Sequence, residues 1–141
     1  MRAERLTRAP LEGGRTDEPS LALDERLGVL DDRKSAKDGS VSLLSGEAEE
    51  TIRAVGGLCT GRFAANILTS GLDYAKLRIG ARLRIGEAEL EITRVGKPCF
   101  EECILFLQNE PCPLKASCAF ARVLRGGAIQ RLDEISIPDR A

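Results

Sequence analysis

Residues 77–96, LRIGARLRIGEAELEITRVG, constrain the fold of this chain more than any other stretch. Apolar and charged side chains alternate through most of it, with glycines at 80, 86 and 96, which is the period of strands that keep one face in water. SLALDERLGVLDD begins with the same alternation, VSLL at 41–44 reads as a short strand, and AFARVLRGGAIQRLDEISI reads as two more strands joined by Gly126 and Gly127. Ser45 is placed to cap a helix running to about Val55, with acidic residues in its first turn. DDRKSAKDGS lacks periodicity and reads as an exposed loop. Many short strands with one or two short helices favour a mainly β fold, a closed or nearly closed β-barrel that leaves few free edges. A length of 141 residues suits one core, so residues 21–141 are expected to form a single domain. Residues 1–20, polar and carrying Pro10, Gly13, Gly14 and Pro19, are expected to be a partly flexible N-terminus without an assigned strand.

The chemistry open to the chain is narrowed by what it lacks. With no histidine, Ser-His and Cys-His catalysis and imidazole metal sites are excluded. No tryptophan, a net charge of −1 and no run of five basic residues argue against nucleic-acid and membrane surfaces. The basic first residues are not followed by an apolar run of signal-peptide length, so a soluble, cytoplasmic protein is expected, with its five cysteines reduced.

Two of those thiols lie in KPCFEECILFLQNEP, which breaks the strand pattern. Phe100, Cys103, Ile104 and Leu107 follow helical spacing, and Pro98 suits a first helical turn. On a helix, Cys99 and Cys103 would have Cβ atoms roughly 6 Å apart, within reach of one ligand, whereas a strand would separate them by about 13 Å. Cys99, near the helix N-terminus and two residues from Lys97, is the better thiolate; Cys103 shares the apolar stripe. Three readings stay open on the residues alone: buried filler, reactive thiols, or metal ligands. In the last case Cys112 and Cys118 could join Cys99 and Cys103 as four thiolates around a structural zinc. Cys59 stands apart as a structural or loop thiol.

Taken in order, SVSLLSGEAEETIR, GRFAANILTSGLDYAKLRIGARLRIGEAELEITRVGKPC and CAFARVLRGGAIQRLDEISI resemble the MOSC family, the domain found at the C-terminus of molybdenum cofactor sulfurases, over about residues 26–137. The resemblance is to the small stand-alone bacterial type. It implies a β-barrel, a molybdenum cofactor (molybdopterin) as ligand, and a cysteine that ligates metal or carries sulfane sulfur, which would make the chain a sulfur transferase. Cys99 falls on the family cysteine of G-K-x-C, and Cys103 on a second cysteine common in the bacterial type. Contacts to the pterin phosphate would come from Arg62, Asn66, Lys97, Lys115 and Arg122. No lysine-bearing pyridoxal phosphate domain is expected within these 141 residues, so a cysteine desulfurase or another sulfur donor would be the partner, with a molybdoenzyme or cofactor-biosynthesis protein as acceptor. Phe100, Glu102 and Ala65 stand where bacterial members usually carry histidine, arginine and glutamate, which motivates an alternative: a binding or scaffold module that keeps the barrel without the chemistry.

Overall fold

The computed structural model describes residues 1–10, 12–49, 65–96 and 117–138. Eight strands form one curled sheet in the order β11-β7-β8-β9-β5-β6-β1-β2, and three form a small second sheet, β10-β3-β4. In chain order these are β1 (Arg2–Arg8), β2 (Thr16–Glu18), β3 (Ser20–Asp24), β4 (Gly28–Val29), β5 (Ser40–Ser45), β6 (Ile67–Ser70), β7 (Arg82–Ile85), β8 (Ala88–Val95), β9 (Cys118–Arg125), β10 (Gly127–Gln130) and β11 (Ile135–Ser136). A one-turn helix, α1 (Ser35–Asp38), precedes β5. The large sheet curls until its ends meet. Arg2 bridges Glu134, and the Ala3 and Ile135 amides donate to the Asp133 and Met1 carbonyls. The expected mainly β, nearly closed barrel is therefore the observed architecture.

The alternation in 82–95 has the expected cause. Leu83, Ile85, Leu90 and Ile92 are fully buried, while Arg82 and Arg84 point to solvent and Arg82 faces Glu91 across the β7–β8 pair. Val41 and Leu43 of β5 and Ala119, Ala121 and Val123 of β9 complete the same interior. Each buried Leu or Ile side chain contributes about 1.5–3 kcal/mol through its removal from water. Strands β5 and β6 are parallel, pairing Leu43 with Ile67 and Ser45 with Thr69. A parallel pair needs a long crossover, which accounts for the wide sequence separation of these neighbours.

Three expectations are corrected. Residues 1–20, left without a strand by the sequence reading, contain β1 and β2, and β1 lies between β6 and β2 in the large sheet. Its pattern was hidden because the register shifts between Ala3 and Arg5, so Ala3 and Leu6, three apart, are both fully buried. The stretch read as an exposed loop holds α1 and two buried polar residues, Asp32 and Ser35. Gly126 and Gly127 do not close a hairpin; they carry the chain from β9 in the large sheet to β10, which pairs with β3 in the small one. A Cβ on Gly126 would stand 2.6 Å from the Leu23 carbonyl oxygen, so the crossing between sheets requires glycine there.

The Ser45 cap is present: its hydroxyl accepts the Ala48 amide at 3.2 Å. The body of that helix and the one expected to carry Cys99 and Cys103 lie outside the described residues.

Candidate functional site

At the β1/β5/β6 junction, the Asn66 side chain ties three segments together. Its Oδ1 accepts from the Ser42 amide at 3.2 Å and from the Ser42 hydroxyl at 3.1 Å. Its Nδ2 donates to the Thr7 carbonyl and to Asp32 Oδ1, both at 3.2 Å. Both ends of the amide are thus used, and the residue is 3 % exposed. Asp32 is 1 % exposed, and both its oxygens are engaged by N–H groups: Ala9 N and Asn66 Nδ2 on Oδ1, Ser35 N on Oδ2. The last of these starts α1, so the carboxylate serves as a cap as well as a cross-link.

Thr7 extends this network toward the surface. Its hydroxyl donates to the Ala65 carbonyl at 2.7 Å and accepts from Arg15 Nη1 at 2.9 Å. Burial is the main influence on Arg15 and holds its guanidinium below its usual pKa; Asp32 opposes that shift and the nearby Arg33 adds to it. Arg33 Nη1 is pinned at 2.9 Å to the carbonyls of both Pro10 and Gly13.

The far end of β5 holds a second buried polar group, beside the exit of the cysteine segment. The Gly96 amide donates to the Cys118 carbonyl at 2.7 Å and the Ser45 amide to the Ser117 carbonyl at 2.8 Å. The described neighbours of residues 97–116 are therefore fixed to one another and to the end of β5. Cys118 itself is fully buried, and both it and Glu47 lie close enough to Tyr74 to disfavour a charged phenolate there. Thr69 Oγ1 donates to the Leu44 carbonyl at 3.3 Å, so the 2.7 Å contact between Thr69 Oγ1 and Tyr74 Oη has the phenol as donor.

Tyr74 gives a prediction with a clean readout, because it is the sole tyrosine of a chain without tryptophan. Burial pushes its pKa well above the ordinary value of 10. The fold thus favours the neutral phenol, a contribution complete below pH 10 and lost progressively as pH rises through the folded-state value. Titration by tyrosinate absorbance should show the onset of ionisation coinciding with unfolding, and Tyr74→Phe should cost about 1 kcal/mol at neutral pH while removing that alkaline sensitivity. A free, reversible tyrosinate titration near pH 10 in the folded protein would contradict this.

Of the residues predicted from the sequence, Asn66 sits inside the network with its amide spent. Arg122 lies on the outer face of β9, its Nε 2.7 Å from Glu91 Oε1. Cys118, the possible fourth zinc ligand, is in the barrel wall. Cys59, Arg62, Lys97, Cys99, Cys103, Cys112 and Lys115 lie outside the described residues. The sequence reading missed Thr7, Arg15 and Asp32. Asp32 carried a usable signal, an acid three residues before Ser35 as in a helix cap; Arg15 carried none, since its burial depends on chain brought from elsewhere.

A curled, nearly closed barrel whose strands β8 and β9 are joined through residues 97–116, where the sequence places Cys99, Cys103 and Cys112, defines a small β-barrel domain. The MOSC domain profile matches residues 31–136, and the chain belongs to that family. Among solved structures it is similar to YiiM from Escherichia coli, with 19 % identity, a TM-score of 0.63 and coverage of 100 % of this chain and 71 % of that one. YiiM from Geobacillus stearothermophilus gives 14 % identity and a TM-score of 0.64, covering 99 % and 75 %. The YuaD protein from Bacillus subtilis gives 19 % identity and a TM-score of 0.64, covering 95 % and 93 %. These likenesses establish the fold. No curated protein matches the chain.

Proposed function

We propose that this MOSC domain protein holds sulfur on Cys99 during maturation of a molybdenum cofactor, in the cytoplasm. The observation that supports this is the family match across residues 31–136, which contains Cys99 in its G-K-x-C setting. In this reading the Cys99 thiolate attacks the outer sulfur of a donor persulfide, the donor's own thiolate leaves, and Cys99 carries the sulfur as a persulfide. Cys103 is the second thiol of the pair, and a cysteine desulfurase is the donor. When bound, the cofactor would supply a metal centre that accepts the sulfur.

The described residues do not fit the pterin contacts expected of them: the Asn66 amide is committed within the fold and Arg122 pairs with Glu91 on the outer face.

Anaerobic incubation with a cysteine desulfurase and free cysteine should raise the intact mass by one sulfur atom, in a cyanide-labile form mapped to Cys99. Cys99→Ser should abolish the gain. A Cys99→Ser protein that loads sulfur as well as wild type, or a wild type that loads none, would refute the proposal; the second result, with full binding of the acceptor protein, would favour the scaffold alternative.

A further inference from the structure

We infer that Gly13, Gly14 and Arg15, supported by Arg33, form a receptor for a phosphate-type oxyanion. Arg15 is partly buried, and its one hydrogen bond among the described residues goes to a neutral hydroxyl, Thr7 Oγ1 at 2.9 Å. Two arginines of β1, by contrast, have acidic partners: Arg5 pairs with Glu49, and Arg8 places Nε and Nη2 on Glu18 Oε1 at 3.1 and 2.9 Å. Asp32, the carboxylate within electrostatic reach of Arg15, has both oxygens engaged by N–H groups. Among the described residues the guanidinium therefore keeps most of its five donors uncommitted, in a partly desolvated position where a charge-assisted hydrogen bond to an oxyanion is worth most.

The surroundings add to this. Arg33 is held by two carbonyls of the same loop, adding positive potential without an acid of its own among the described residues. The Gly13 and Gly14 amides make no hydrogen bond among the described residues, and space is open around both glycines, with Gly13 at φ +91°. Two uncommitted backbone N–H groups preceding a forked guanidinium match the several oxygens of a tetrahedral oxyanion better than a halide. The receptor uses no residue of the cysteine segment and goes beyond the sulfur-carrier reading.

The test is titration of the full isotopically labelled chain with inorganic phosphate at constant ionic strength, chloride making up the balance, followed by NMR. Saturable shifts of the Gly13 and Gly14 amides and of the Arg15 side chain are expected. Arg15→Gln should weaken binding about tenfold or more, the loss of about 1.4 kcal/mol or more, while Arg82→Gln, at an exposed position on β7, should leave it unchanged. Unshifted Leu83 and Leu90 amides in Arg15→Gln would show that the fold is retained; if that variant collapses, Arg15→Lys, which keeps the charge but loses the fork, should still bind several-fold more weakly. Non-saturating shifts, or affinity indifferent to both Arg15 variants, would overturn the proposal. Run in Cys99→Ser protein, the assay is blind to sulfur loading, so its failure and that of the proposed function are separable.

Discussion

Asn66→Leu is expected to destabilise the protein by about 3–5 kcal/mol, read as a fall in the urea midpoint at unchanged m-value. Leucine nearly preserves volume, so the effect isolates hydrogen bonding. It strips partners from the Ser42 amide, the Thr7 carbonyl and the buried Asp32 carboxylate at once. Groups left unsatisfied in the interior cost more than the bonds themselves contributed. Asn66→Asp refines the test, because it replaces the donor with a second carboxylate facing Asp32. Two such acids cannot both ionise at little cost, so the pair's pKa rises in the folded state, and this variant's deficit should grow with rising pH and shrink toward acid pH. A loss below about 1 kcal/mol in Asn66→Leu would show that the network does not hold β1, β5 and β6 together.

Gly28→Val should be comparably damaging, costing about 3 kcal/mol or more by the same measurement. Gly28 has φ +73°, and a Cβ there would stand 2.6 Å from the Gly39 carbonyl oxygen and 3.1 Å from Ser35 Cβ. A Cβ on Gly39, at φ +74°, would likewise stand 2.6 Å from the Arg26 carbonyl oxygen. The β3–β4 turn and the end of α1 thus touch backbone to backbone, and neither side can retreat without moving Asp32 and Ser35. Gly80 is the control: its φ of +94° is strained for other residues, but nothing lies within 4 Å. Gly80→Ala should therefore cost only the backbone contribution, about 1 kcal/mol. Equal losses at the two sites would remove the close packing from the explanation.

The parts of the fold legible in the sequence were those whose partners are local and whose outer face meets water. β7 and β8 are a hairpin with arginines and glutamates outside and leucines and isoleucines inside, so period and burial coincide. β1 was illegible for a physical reason: its register shift moves Ala3 and Leu6 to one side, and its arginines find their acids at Glu18 and Glu49. Asp32 looked like one more solvated acid in a charged loop, and only the amides of Ala9, Ser35 and Asn66 make it an interior residue. On the site, the family resemblance marks Asn66 as a ligand contact, and in the fold its amide cross-links Ser42, Thr7 and Asp32. Arg15 was passed over because nothing in its neighbours in sequence announces burial.

The closure of the barrel also bears on how the chain is made. β1 begins at Arg2, yet part of its pairing comes from Asp133 and Glu134, and its neighbour β6 begins only at Ile67. Of the described strands β1 comes first in the chain, yet it is among the last to be fully partnered, since contacts so distant in sequence wait on the loops between them. Until residues near 134 emerge, Ala3 and Leu6 are apolar side chains on an unfinished edge, the kind of surface through which incompletely folded chains associate.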